Sequence, residues 1–125
     1  MTIDRLDHLV LTVADIDVTC AFYSTILGME VITFGADRKA LKFGVQKINL
    51  HQKGKEFEPK AKHPAPGAAD LCFITDTAIE TVYSELASNG IEIVEGIADK
   101  DGAMGKIRSI YFRDPDGNLL EVSNY

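Results

Sequence analysis

The chain has 125 residues, which fits one domain with a real core and gives no reason to expect metal or disulfide staples. Apolar residues make up 46% and charged ones 26%, close to the globular average, which excludes disorder and coiled coil. Thirteen basic side chains against nineteen acidic ones leave a net charge of −6, which argues against a nucleic-acid surface and would suit a cationic ligand.

No apolar run reaches the ~20 residues of a membrane span, and no basic-then-apolar leader opens the chain. The two cysteines, Cys20 and Cys72, lack Cys-x-x-Cys spacing and cannot make a disulfide framework. The expectation is a cytoplasmic protein with neither membrane nor nucleic-acid partner.

In chain order, Leu6 to Val13 reads as a strand. Asp15 or Asp17 can cap a helix that Gly28 ends, with Ile16, Cys20, Tyr23 and Leu27 at helical spacing. Three β-rich runs follow: Glu30 to Phe34, Lys39 to Phe43 and Lys47 to His51. Gln52 to Gly67 then breaks the pattern. It holds three of the four prolines and six charged side chains and reads as a connector.

The second half repeats the order. Ala69 to Thr75 reads as a strand, and Thr75 or Asp76 can cap a helix that Asn89-Gly90 ends. Ile91 to Val94, Ile107 to Phe112 and Asn118 to Ser123 read as three more strands. The pattern is βαβββ twice, an α+β arrangement in one domain spanning 1–125, with modules at about 4–52 and 68–125 and a linker at 53–67.

Strand alternation sorts the polar residues. Leu9, Leu11 and Val13 take the helix side of the first strand, leaving His8, Val10 and Thr12 opposite. Aligning LDHLVLTV with AADLCFIT matches His8 with Asp70, and aligning INLHQ with NLLEV matches His51 with Glu121. His8, His51 and Glu121 therefore form a candidate set of nitrogen and oxygen ligands for a divalent ion, with Asp70 as a fourth ligand or a residue that orients one. Val10, Thr12, Cys72, Ser109 and Tyr111 are expected to line the pocket, while Leu9, Leu11, Phe43, Phe112 and Leu120 are expected to pack beneath the helices. FRDPDGN, Phe112 to Asn118, is a hairpin turn that sets the register of Glu121.

Asp7 to Glu30, DHLVLTVADIDVTCAFYSTILGME, and Tyr111 to Tyr125, YFRDPDGNLLEVSNY, resemble the vicinal oxygen chelate superfamily, which joins glyoxalases, bleomycin-resistance proteins and dioxygenases. Arg38 to Ala61, RKALKFGVQKINLHQKGKEFEPKA, is similar to the branch called glyoxalase domain-containing protein 5. The resemblance implies two βαβββ modules in an open, cup-shaped mixed sheet with helices on its outer face. It also implies a divalent ion (Fe, Zn, Ni, Mn or Co) in the cup, held from the first and fourth strands of each module, and a homodimer.

Carried onto this chain, the resemblance implies His8, His51 and Glu121 as ligands, with Asp70 at the fourth place. Two departures stand out. Dioxygenases of this fold usually open each module with a His, where this chain has Asp70. Glyoxalase I enzymes typically have Glu where His51 stands.

The resulting expectation is a metal-dependent, glyoxalase-like lyase acting on a small substrate with vicinal oxygens, with Glu121 as both ligand and base. The alternatives are a ring-cleaving extradiol-type dioxygenase and a metal-free protein that binds a bleomycin-type drug.

Overall fold

The computed structural model describes all 125 residues, and the chain divides into two compact units, Met1–Pro66 and Gly67–Tyr125. In the first unit the order is β1 (His8–Val13), α1 (Ile16–Leu27), β2 (Glu30–Phe34), β3 (Arg38–Phe43) and β4 (Gln46–Gln52). In the second it is β5 (Asp70–Ile74), α2 (Ile79–Ser88), β6 (Glu95–Gly102), β7 (Gly105–Arg113) and β8 (Leu119–Asn124). Each unit carries one four-stranded mixed sheet, ordered β1-β4-β3-β2 in the first and β5-β8-β7-β6 in the second. β1 with β4, and β5 with β8, are the parallel pairs. This is the α+β, twice-repeated βαβββ architecture that the sequence predicts.

Local chemistry explains the boundaries. Asp15 is the N-cap of α1, and its carboxylate accepts from the amides of Asp17 and Val18, satisfying two of the donors every helix start leaves open. Gly28 ends α1 in the left-handed conformation, φ 64°, where a Cβ would be strained. α2 begins differently from the expectation. Its N-cap is Ala78, without a side-chain bond, while the Thr75 hydroxyl accepts from the Thr77 amide in a turn ahead of the helix.

β6 is the second correction: it runs Glu95–Gly102 and not Ile91 to Val94. It is an edge strand, EGIADKDG, mostly exposed and with adjacent Ile97 and Ala98 as its only apolar side chains, so no alternation marks it. Its pairing with β7 closes around Ala103 and Met104, and its register shifts between Glu95 and Ala98.

Each helix covers one face of its own sheet. α1 packs on β2, β3 and β4, where Leu11, Val13, Tyr23, Leu41, Ile48 and Leu50 are buried. α2 packs on β6, β7 and β8, with Ile79, Val82, Leu86, Ile110, Phe112, Leu120 and Val122 buried. The predicted core positions Leu11, Phe112 and Leu120 are inside, which fixes the parity of β1, β7 and β8, whereas Leu9 and Phe43, near strand ends, are only half-buried. No helix is long and apolar enough to cross a membrane.

Candidate functional site

The face of each sheet turned away from its helix carries the polar residues, and strand register decides which of them are neighbours. In the first unit, Val10 lies opposite Asn49 and Thr12 opposite His51. In the second, Asp70 lies opposite Leu119 and Cys72 opposite Glu121. Counted from these ladders, His8 and Asp70 are equivalent, as the sequence implies. The residue equivalent to Glu121 is Asn49, and His51 is equivalent to Ser123. The matching of His51 with Glu121 is thus corrected by two residues.

The first unit does not bring His8 and His51 together. His8 lies opposite Lys47, four residues short of His51 on β4, which is about 13 Å along a strand. His8 is exposed, at the start of β1, and its ring Nδ1 lies 2.7 Å from the Asp7 carboxylate. A carboxylate only accepts, so Nδ1 donates, the orientation seen when a carboxylate supports a ligating histidine. The same bond holds the Asp7 carboxyl below its ordinary value.

His51 belongs to a different group. It is 3% exposed, its Nε2 accepts from Arg38 Nη2 at 3.3 Å, and its ring meets Phe57 edge-on at 5.4 Å. Burial, and then the Arg38 charge, lower its pKa. Unfolding restores the ordinary value near 6.5, so on acidification the unfolded chain takes up this proton first. The stability that His51 contributes is complete above that value and is lost as the pH falls through it. Urea unfolding at about pH 7.5 and about pH 5.5 should show a loss in the wild type that His51→Gln largely removes.

Asn49 is 7% exposed, and its side-chain oxygen is buried without a hydrogen-bond donor. Buried polar atoms are ordinarily paired, so this oxygen is an exception within the sheet. Sequence reasoning missed Asn49, and also Arg38, because each residue type is ordinary on a strand. The signal lies in their unpartnered atoms.

The second unit builds its group around Glu121. Tyr111 lies directly opposite on β7 and hydrogen-bonds the carboxylate. Burial, followed by this bond, pushes the Tyr111 phenol up to about 12. On the other side, Cys72 also hydrogen-bonds Glu121, and its thiol is raised chiefly by burial. The Ser123 hydroxyl donates to Glu121 at 3.3 Å and shares a 2.7 Å bond with the buried Ser109. Phenol, thiol and hydroxyl thus surround one carboxylate.

Of the remaining predicted lining residues, Val10 and Cys72 are exposed, while Thr12 and Ser109 are buried. Asp70 is exposed at the head of β5. No three His, Cys, Asp or Glu side chains converge within either unit. Each unit offers a half-set: His8 and Asn49 in the first, Asp70 and Glu121 in the second. Imidazole, carboxylate and amide oxygen are each donor types suited to a divalent ion.

Comparison with known proteins identifies the family. The chain is 62% identical to the virulence protein STM3117 of Salmonella typhimurium over 125 residues, all of this chain and 87% of that protein. The crystal structure of that protein superposes with a TM-score of 0.99, covering 100% of this chain and 99% of the other. The glyoxalase domain-containing protein RDO1 of Mycosarcoma maydis is 56% identical over all of this chain and 70% of its own length. The metallothiol transferase FosB of Staphylococcus epidermidis is 28% identical over 96% of this chain and 83% of its length. The family model for the Glyoxalase/Bleomycin resistance protein/Dioxygenase superfamily matches residues 5–122, and the chain belongs to that superfamily.

Proposed function

We propose that the protein is a metal-dependent enzyme acting on a small substrate with two adjacent oxygens, with lyase chemistry of the glyoxalase kind. The observation that carries this is the pair of half-sets at equivalent places on the two ladders, His8 with Asn49 and Asp70 with Glu121. The metallothiol transferase among its relatives supports a metal role. A divalent ion would be held by His8 and Asn49 in the first unit or by Asp70 and Glu121 in the second, and would supply Lewis acidity to the substrate oxygens.

The chain's own residues would do the rest. The Glu121 carboxylate takes the proton from the substrate carbon, and Tyr111, Cys72 and Ser123 fix its orientation by hydrogen bonds. Because His51 is engaged by Arg38, the half-sets contain one histidine, which favours this chemistry over the two-histidine, one-carboxylate iron site of a dioxygenase. The partner assigned to the chain is a second copy of itself, as dimers are common in the superfamily.

Metal analysis of protein purified without chelator tests the reading. His8→Ala and Glu121→Ala should each lose most of the bound ion, and His51→Ala should keep it. Equal metal content in all three would overturn the assignment, and loss confined to His51→Ala would return His51 to the ligand set.

A further inference from the structure

Arg38 is a cation that the first unit leaves without an anion. No carboxylate lies within ion-pair distance of it. Its guanidinium carbon instead sits 5.0 Å from the centre of the Phe34 ring and 4.4 Å from that of Phe57. One N–H group, on Nη2, is used by His51. The Nε–H is buried and meets no acceptor.

Arg38 is half-buried, so the cost falls on Nε, where an unmade bond at a buried donor forfeits its solvation. The rings recover part of the cost as cation–π attraction. An oxyanion would recover the rest.

The surroundings favour an anion in a chain that is acidic overall. The Lys47 ammonium lies 4.1 Å from the centre of the Phe34 ring, and the charge of Lys60 also reaches His51. The nearby Glu56 carboxylate is turned to the Gly54 amide, 3.1 Å away. Arg38 is itself held rigidly by two rings and an imidazole, so little side-chain freedom is lost when a ligand binds. A planar guanidinium matches an oxyanion through paired N–H donors, which a lysine cannot reproduce, and a single carboxylate suits a site flanked closely by two rings.

We propose that Arg38, backed by His51 and flanked by Phe34 and Phe57, is the recognition site for a carboxylate group, and that the substrate is therefore a small organic acid. The second clause rests on the enzymatic reading above, while the first stands on Arg38 alone. Asn49, assigned above to the metal half-set, is two residues from His51 on the same face of β4, so a carboxylate on Arg38 would anchor the substrate beside that half-set.

The test is a titration of protein stripped of metal and dialysed free of chelator, with acetate, succinate and inorganic phosphate as separate probes. Backbone and arginine Nε–H resonances report binding. Acetate and succinate should bind saturably and move the Arg38 Nε–H signal. Arg38→Met, which keeps the stacked alkyl stem, should weaken them by roughly 10- to 100-fold. Arg38→Lys should also bind more weakly than the wild type.

Thermal melts establish that both variants fold, and their metal content should match the wild type, since Arg38 is no ligand. Carboxylate binding unchanged in Arg38→Met, absent from folded wild type, or equalled by phosphate would overturn the proposal. None of these outcomes depends on a bound ion, so they are distinguishable from failure of the metal assignment.

Discussion

Glu121→Gln is expected to lower turnover by about 10²–10⁴-fold, the usual worth of a positioned general base, while metal content falls much less. Glutamine keeps an oxygen of similar placement opposite Tyr111 and Cys72, so the ion is weakened and not lost. What glutamine cannot do is accept a proton. Tyr111→Phe removes one of the hydrogen bonds that orient the carboxylate and should cost less than Glu121→Gln, with metal content unchanged.

The measurement is turnover beside metal content for each variant, against adducts of 2-oxoaldehydes with thiols, catechols and small 2-oxo acids. Turnover that merely follows metal occupancy would show Glu121 to be a ligand only. Preferred turnover of catechols with bound iron would move the chain to the dioxygenase reading.

The architecture was legible because its signals are local. Asp15 and Gly28 delimit α1, and alternation of apolar residues sets which faces of β1, β7 and β8 are buried. The error over His51 has an equally physical origin. Alternation fixes parity, so a slip of one residue would have exposed Leu11 or Phe112, but a slip of two leaves every face unchanged. Matching His51 instead of Asn49 to Glu121 is such a slip, and only the hydrogen-bonded ladders reveal it.

β6 was misplaced because an edge strand with both faces exposed needs no apolar period. Arg38 left no sequence signal either. Its interest lies in a missing counter-ion and in two rings, one from Phe34 close by in the chain and one from Phe57 beyond the end of β4, a pairing no local pattern encodes.

The turn before β8 carries the largest expected effect on stability. Asp114 is 6% exposed, and one carboxylate oxygen accepts from the amides of Asp116 and Asn118 at 2.9 and 3.0 Å. The other accepts from the Asn118 side-chain amide at 2.7 Å, and Asn118 in turn accepts from the Ala69 amide at the head of β5. One buried carboxylate therefore ties the turn to both parallel strands of the second unit.

Asp114→Ala removes the acceptor but leaves three donors, and unpaired buried donors are the expensive case, so a loss of roughly 3 kcal/mol or more is expected. Asp114→Asn keeps one oxygen for the two backbone amides and sets its NH₂ against the donating Asn118 NH₂, so it loses one bond instead of three and should cost less. Urea unfolding gives both values, and a loss below about 1 kcal/mol for alanine would show the network to be dispensable.

The consequence reaches the site, because Glu121 lies three residues beyond Asn118, and its alignment with Cys72 and Tyr111 depends on where β8 begins. Amide exchange over Leu119–Asn124 should accelerate in Asp114→Ala while the amides of β1 and β4 are unchanged. Turnover should then fall although no group touching the substrate has been altered.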